Sequence, residues 1–307
     1  MMNTWIRGGV NLKSFTELRI RLKNKEELKT VVIANATDSA SVEAAVQAKK
    51  GNIANSILVG NKKQIKEQLT NADATDLGLE IIHAETPEEA AALAVKLIRE
   101  DRGDSILKGN IQTGTLLKAV LNKETGIRKS SLLSHVTFLE IPGYHKVLGF
   151  TDGAVVLFPN FNQKVTMLEN AVSLFHELGY KQPKVGVIEA HEVVNPKVES
   201  SKEAAQIMEL QRTGKIKDCI IEGPISFDLA TNPKAVKLKS YDSPVAGDVD
   251  LLVGPNITVI NVMVKSLQSF AEAKTAGMVL GAKCPIVLVS RASPAEEKLD
   301  SIILSLV

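Results

Sequence analysis

Ser290 and Arg291 close a short apolar run, residues 285–289, of the β-branched kind that forms a buried strand. Ser293-Pro294-Ala295-Glu296 follows and reads as a capping box: Ser at the cap, Pro at the first helical position, Glu at the third. A hydroxyl and a guanidinium in a strand-to-helix turn, beside backbone N–H groups that have no helical partner, suit a phosphate. Arginine's fork can grip two of its oxygens at once. Glu297 adds a carboxylate seven residues after Ser290.

Other turns carry polar groups in places where ligands bind parallel α/β sheets, beyond the carboxyl ends of strands. In KGNIQTGTLLKA, Gly109, Thr113 and Lys118 follow a strand and open a helix; the plainer reading is a glycine turn with a threonine cap. In FTDGAVVLFPN, Asp152 stands between apolar runs, where a turn aspartate before glycine is ordinary. In IEGPISFD, Glu222 and Asp228 flank a Gly-Pro turn. In YDSPVAGDVDLL, Ser243, Pro244 and Gly247 make a small, rigid loop of the type a backbone needs when it approaches a ligand closely. The helix that follows offers Asn261 and Lys265.

Several chemistries are disfavoured. The histidines have no metal-ligand spacing, His135 and His191 read as structural, and Cys219 and Cys284 form no CxxC pattern, so no metal site is expected. There is no G-x-S-x-G elbow and no GxGxxG fingerprint in the first βα unit. Lys234, Lys237 and Lys239 read as a solvated face that could also steer a multiply phosphorylated ligand.

Alternating strands and helices must hold these turns. Strands are expected at 30–34, 56–59, 79–83 and 105–108, with helices at 39–50, 62–69, 87–100 and 113–123 between and after them, which implies a mainly parallel sheet flanked by helices. Beyond them, apolar runs at 132–139 and 149–157 flank the turn residues of IPGYHK. A long helix at 162–178, strands at 184–188 and 218–222 and a helix at 200–212 follow. A chain of 307 residues with 44% apolar content can build two such domains. They are expected at 1–131 with 284–307, and at 132–283.

A net charge of +2 gives no bulk attraction to nucleic acid, and 4% aromatic content leaves little for base stacking. The opening MMNTWIRGGVNLKSF has no continuous apolar segment of a signal peptide, and nothing approaches the roughly 20 apolar residues of a membrane span. Two cysteines, each in an apolar run that reads as a strand, suit a reducing cytosol. A cytoplasmic location is therefore expected.

Taken together, LLSHVTFLEIPGYHK, VVNPK, EGPISFD, DSPVAGDVDLL, the Lys265 helix and PIVLVSR resemble the phosphate acetyl/butyryltransferase family in order and spacing over nearly the whole chain. LLSHV and IPGY are more similar to the butyryl branch. The resemblance implies a two-domain α/β fold akin to isocitrate and isopropylmalate dehydrogenases, an active site in the interdomain cleft, and a homodimer or larger assembly. It implies exchange of a short-chain acyl group between coenzyme A, a substrate rather than a resident cofactor, and inorganic phosphate, by direct transfer in a ternary complex. Ser290 and Arg291 then match the family's catalytic serine and substrate-binding arginine. Glu297 takes the place of the acetyl branch's proposed base, an aspartate, and Lys118 that of an arginine found in many relatives. Lys265 matches the lysine of the GNxxYK pattern, with Ile260-Asn261 where that pattern has Gly-Asn. A relative that binds coenzyme A or acyl phosphate without turnover is the alternative.

Overall fold

Short runs of Val, Ile and Leu between amphipathic segments form β1 (Thr30–Ala34), β2 (Asn55–Gly60), β3 (Glu80–His83) and β4 (Ser105–Lys108), close to where the sequence puts them. In a computed structural model, which describes residues 11–23, 27–290 and 293–307, these strands belong to a unit made of Phe15–Leu133 and Thr275–Val307. Its strand order is β3-β2-β1-β4-β11-β10, where β10 is Lys274–Leu280 and β11 is Ile286–Val287. All pairs are parallel except β10 with β11. That antiparallel pair, Met278↔Val287 and Val279↔Ile286, ties β10 to this unit, so the chain returns one strand ahead of residue 284.

The helices α2 (Ser39–Lys50), α3 (Lys62–Asn71) and α4 (Pro87–Arg99) start under side-chain caps from Asp38, Asn61 and Thr86. Two expected caps are not made. Helix α5 (Thr113–Val120) is preceded by Gln112, which makes no side-chain cap bond, so Thr113 is the first helical residue and not the cap. Helix α11 (Ala295–Ser305) begins after Pro294, again with no side-chain bond. Ser293 is not the cap, because the helix starts one residue later and Pro294 takes that position; the Ser293 N–H donates to the Ser290 carbonyl at 3.1 Å.

Polar groups fasten α11. The Lys298 ammonium donates to Asp38 Oδ1 (3.2 Å) and Ser41 Oγ (2.9 Å), while Asp300 takes Nε and Nη2 of Arg19 from α1 (Phe15–Lys23) at 3.0 and 2.7 Å. Ser301 Oγ accepts from the Gly277 N–H at 3.0 Å, and Ser305 Oγ donates to Ser105 Oγ at 3.1 Å.

The second unit comprises Ser134–Lys274 with the described residues up to Ser14. Its strands are β5 (Ser134–Glu140), β6 (Leu148–Thr151), β7 (Lys184–Ile188), β8 (Ile220–Ile225) and β9 (Leu251–Val253), in the order β5-β6-β9-β7-β8. Only β5 runs antiparallel, paired with β6 across the IPGYHK connection. Helices α6 (Phe161–Glu177), α7 (Glu199–Arg212), α8 (Phe227–Thr231), α9 (Pro233–Lys239) and α10 (Ile257–Ala271) complete it. Strand β6 stops at Thr151, short of the apolar run to 157, because the Asp152 carboxylate takes the N–H groups of Ala154 and Val155 and turns the chain. Leu12 joins this unit by donating its N–H to Tyr180 Oη (2.8 Å) and accepting from Val147 N–H (2.7 Å).

A buried charge network clamps the middle of this sheet. Lys146 Nζ, its side chain 1% exposed, lies 2.6 Å from Asp250 and 2.8 Å from Asp248. Asp248 also meets Lys184 at 2.5 Å and His145 at 2.7 Å. Burial works to raise Asp248, yet the bonds from Lys146, Lys184 and His145 outweigh it and hold the carboxyl well below the usual range. Asp250 goes the other way: burial pushes it up against the pull of Lys146. Removing the cation in Lys146→Met strands the Asp250 charge, and we expect a loss of about 3–5 kcal/mol in urea unfolding. For a carboxyl held low in the folded state, the stabilisation is full above the unfolded pKa of ~3.9 and fades as pH falls below it. The stability gap between wild type and Asp248→Asn should therefore be on the order of 1–3 kcal/mol at neutral pH and shrink on acidification. A gap independent of pH would refute this.

Candidate active site

The register of the first unit gathers one group of the sequence-predicted residues. β4 and β11 are adjacent and parallel, with Leu107 opposite Val287, so the turn carrying Gly109 and the turn carrying Ser290 leave the same carboxyl edge side by side. Ala34 opposite Lys108 brings the Asn35–Asp38 turn beside them. Gly109 is required by its own chain: an added Cβ would stand 2.5 Å from the Asn35 carbonyl oxygen, and its N–H donates to Ala34 O at 3.0 Å. Asn35, at φ +58°, locks the pair of turns by donating Nδ2 to the Asn110 carbonyl at 2.6 Å.

Ser290 is exposed; Arg291 lies outside the described residues. Thr113 is half-buried at the start of α5, Lys118 is exposed in its last turn, and Glu297 is half-buried in the first turn of α11. The Glu297 carboxylate accepts a 2.6 Å bond from Thr275 Oγ1, which fixes its rotamer. Neither α5 nor α11 has a side-chain cap, and their amino ends stand at neighbouring strand ends.

The other group lies in the second unit. Asp152 is 2% exposed and its carboxylate is occupied by backbone: Oδ2 by His135 N–H (2.7 Å), Oδ1 by the N–H groups of Ala154 and Val155 (both 2.8 Å). Asn261 donates Nδ2 to the Gly153 carbonyl at 2.9 Å and so ties α10 to that turn. Lys265, one turn on, is exposed. In the SPVAG loop, Ser243 Oγ accepts from Val245 N–H (3.2 Å) and Pro244 is exposed. Gly247, at φ +71°, makes its close approach to Pro233, whose Cα would be 3.1 Å from an added Cβ.

Ile260 is fully buried between glycines: Cβ atoms built on Gly153 and Gly254 would fall 3.0 and 2.3 Å from its side chain. The branched side chain fills the room those glycines leave and joins the cluster with Phe150, Leu252 and Val245. Ile260→Ala should cost about 2–5 kcal/mol in chemical denaturation, since a cavity against two glycines has no side chain to collapse into it. A loss below ~1 kcal/mol would contradict that packing.

The remaining polar candidates have local partners. His135 is buried with Nδ1 3.3 Å from Thr137 Oγ1, His191 is exposed, and Asp228 is held low first by the Ser226 hydroxyl at 2.6 Å. Cys219 and Cys284 lie just ahead of β8 and β11, unpaired and buried; burial pushes them up to about 11 and about 12. Among the described residues no cluster of three His, Cys, Asp or Glu could hold a metal, and no helix is long and apolar enough to cross a membrane. Sequence reading passed over Asn35, Asp38 and Lys298. The signal available was the Thr37-Asp38-Ser39 step after a strand, a helix cap at the same sheet edge.

Comparison with known proteins decides among the chemistries such an edge allows. Residues 15–93 and 83–306 match the phosphate acetyl/butaryl transferase family. The chain belongs to that family. It is 39% identical over 295 residues to a phosphate butyryltransferase of Clostridium beijerinckii, covering 95% of this chain and 97% of that one. It is also 39% identical over 278 residues to a probable phosphate butyryltransferase of Bacillus subtilis, covering 91% and 92%. A crystal structure of a branched-chain phosphotransacylase from Enterococcus faecalis V583 superposes with a TM-score of 0.81 at 32% identity, over 91% of this chain and 98% of that one. The chain is thus a phosphate acyltransferase.

Proposed function

We propose that the protein transfers a short-chain, butyryl-like acyl group between coenzyme A and inorganic phosphate, giving acyl phosphate and free coenzyme A, in a cytoplasmic setting. The observation that carries this reading is the pair of uncapped helix amino ends, α5 and α11, at the adjacent strand ends that bear Gly109 and Ser290. They are suited to hold a phosphate oxyanion; Thr113 and Ser290 supply hydroxyls there, and Arg291 and Lys118 are the cations assigned to the substrates. Identity of 39% to a phosphate butyryltransferase, against 36% to a phosphate acetyltransferase of Thermotoga maritima, supports butyryl over acetyl.

In the proposed transfer a phosphate oxygen attacks the thioester carbonyl, the C–S bond breaks, and the thiolate departs. Ser290 and Arg291 stabilise the oxyanion and the leaving sulfur, and Glu297 serves as the base that relays the proton. Both cysteines of the chain are buried and held as thiols, which supports direct transfer in a ternary complex over an acyl-cysteine intermediate. The test is release of coenzyme A from acetyl-, butyryl- and branched acyl-CoA with and without phosphate. Butyryl-CoA should be favoured, phosphate should be required, and Arg291→Ala should lose on the order of 2–5 kcal/mol of transition-state binding. Coenzyme A binding without release from any of these thioesters would favour the non-catalytic alternative.

The same reading includes a homodimer. Helix α10 buries only Ile260 fully among its 15 residues and leaves Val262 57% and Phe270 89% exposed, with one charge, Lys265, along its length. Such a helix face is suited to a second copy of the chain. Phe270→Glu should shift the mass in multi-angle light scattering from dimer toward monomer; a monomeric wild type would overturn this.

A further inference from the structure

The Glu297 carboxylate is held from a strand. Helix α11 is stitched to β10 at two points: Thr275 Oγ1 donates to Glu297 Oε1 at 2.6 Å, and Ser301 Oγ accepts the Gly277 N–H at 3.0 Å. Two residues of strand span about 6.5–7 Å and four residues of helix about 6 Å, so the two contacts keep step and each holds the other in register. Ser301 Oγ also donates to the Glu297 carbonyl at 2.9 Å, which ties the two stitches together. Thr275 is 6% exposed, and its β-branch leaves the hydroxyl few directions in which to point.

Strand β10 runs antiparallel to β11, with Met278 opposite Val287, so it begins at the edge where the Ser290 turn leaves. Thr275 thus stands at the same sheet edge as the residues assigned to phosphate, and the carboxylate it holds belongs to the first turn of the helix that follows Ser290. One carboxylate oxygen is engaged; Oε2 has no hydrogen-bond partner among the described residues. The charged groups that packed elements bring to this end of α11 are committed elsewhere. Arg19 of α1 pairs with Asp300 and Glu296, Lys298 with Asp38 beside α2, and Lys108 of β4 donates to the Ile111 carbonyl. Strand β11 carries no charge, and Lys274 precedes Thr275 in β10 as an exposed residue.

We propose that Thr275 is a positioning residue for acyl transfer: its hydroxyl holds Oε1 of Glu297 and leaves Oε2 as the oxygen that moves the proton. This rests on the reading of Glu297 as the base. The proton leaves the phosphate O–H for Oε2 as the phosphate oxygen bonds to the acyl carbon, and passes to the sulfur as the C–S bond breaks. A hydroxyl that donates to a carboxylate also favours its ionised form, the one able to accept a proton.

Thr275→Val keeps the shape and removes the donor, and release of coenzyme A from butyryl-CoA with phosphate reads the result. We expect kcat to fall about tenfold with both KM values changed less than about twofold, and the acid limb of kcat against pH to move up by about one unit. Thr275→Ser should restore both rate and limb, which a threonine needed only for packing would not do. Glu297→Gln should cost more, and adding Thr275→Val to it should cost little further, because the pair acts as one. Thr275→Ala repeats the comparison if the valine variant does not fold. The proposal is overturned by a rate within about twofold of wild type in the variants lacking the hydroxyl, by a loss carried in KM at unchanged kcat, or by an acid limb that stays in place. A second loss as large as the first in the Glu297→Gln background overturns it too. Full activity of Glu297→Gln sinks the base assignment together with this proposal, and a wild type that releases no coenzyme A from any thioester sinks the acyl-transfer reading itself. Activity that depends on Glu297 but not on Thr275 sinks this proposal alone.

Discussion

The turn that carries Ser290 is held by the docking of the C-terminal helix α11, and that docking is set by a buried ammonium. Lys298 is 2% exposed and finds its partners, Asp38 and Ser41, at the first turn of α2. A buried ammonium without partners costs several kcal/mol, so α11 cannot slide or rotate by a residue without stranding that charge. Apolar burial alone is not directional and would tolerate such a slip. Asp300 with Arg19, and Ser301 with Gly277, repeat the constraint on other neighbours of the same helix. Because α11 begins right after the Ser290 turn, its register becomes the position of the proposed phosphate-binding groups.

A similar principle governs the second unit, where residues that mark the family in sequence turn out to be occupied by architecture. The His145-Lys146 end of IPGYHK and the Asp248 and Asp250 of SPVAGDVD meet in one ion network, over a hundred residues apart in the chain. Asp152 spends both carboxylate oxygens on backbone amides, and Gly247 makes room for Pro233. Polar residue types at strand ends thus mark two different needs, and only the partners tell them apart.

What the sequence disclosed follows from range. The alternation of short apolar runs with amphipathic stretches is a local signal, and the strands from Thr30 to Lys108 and their helices fall within a few residues of the expected positions. Caps were less legible, because a cap depends on the residue at which the helix starts: Ser293 has the right chemistry, but Pro294 takes the cap position. Side-chain partnerships between distant segments were not legible at all. Ile260 looks like a departure from a glycine pattern until Gly153 and Gly254 are found against it, and Ser56 looks like any strand serine until its neighbours leave its hydroxyl alone.

The missing caps bear on the proposed chemistry through energy. A helix that lacks a side-chain cap gives up about 0.5–2 kcal/mol, and in the first unit α2, α3 and α4 all have one while α5 and α11 do not. The stability forgone is concentrated at two neighbouring strand ends, on helices whose amino termini carry partial positive charge. An anion bound there recovers those bonds and is held with an oxygen free to attack a thioester. A cap built into the chain would satisfy the same N–H groups permanently and leave fewer donors for a phosphate. Uncapped ends at adjacent strands therefore suit the proposed acyl transfer to phosphate, and the polar anchors of α11 keep the second of them in place.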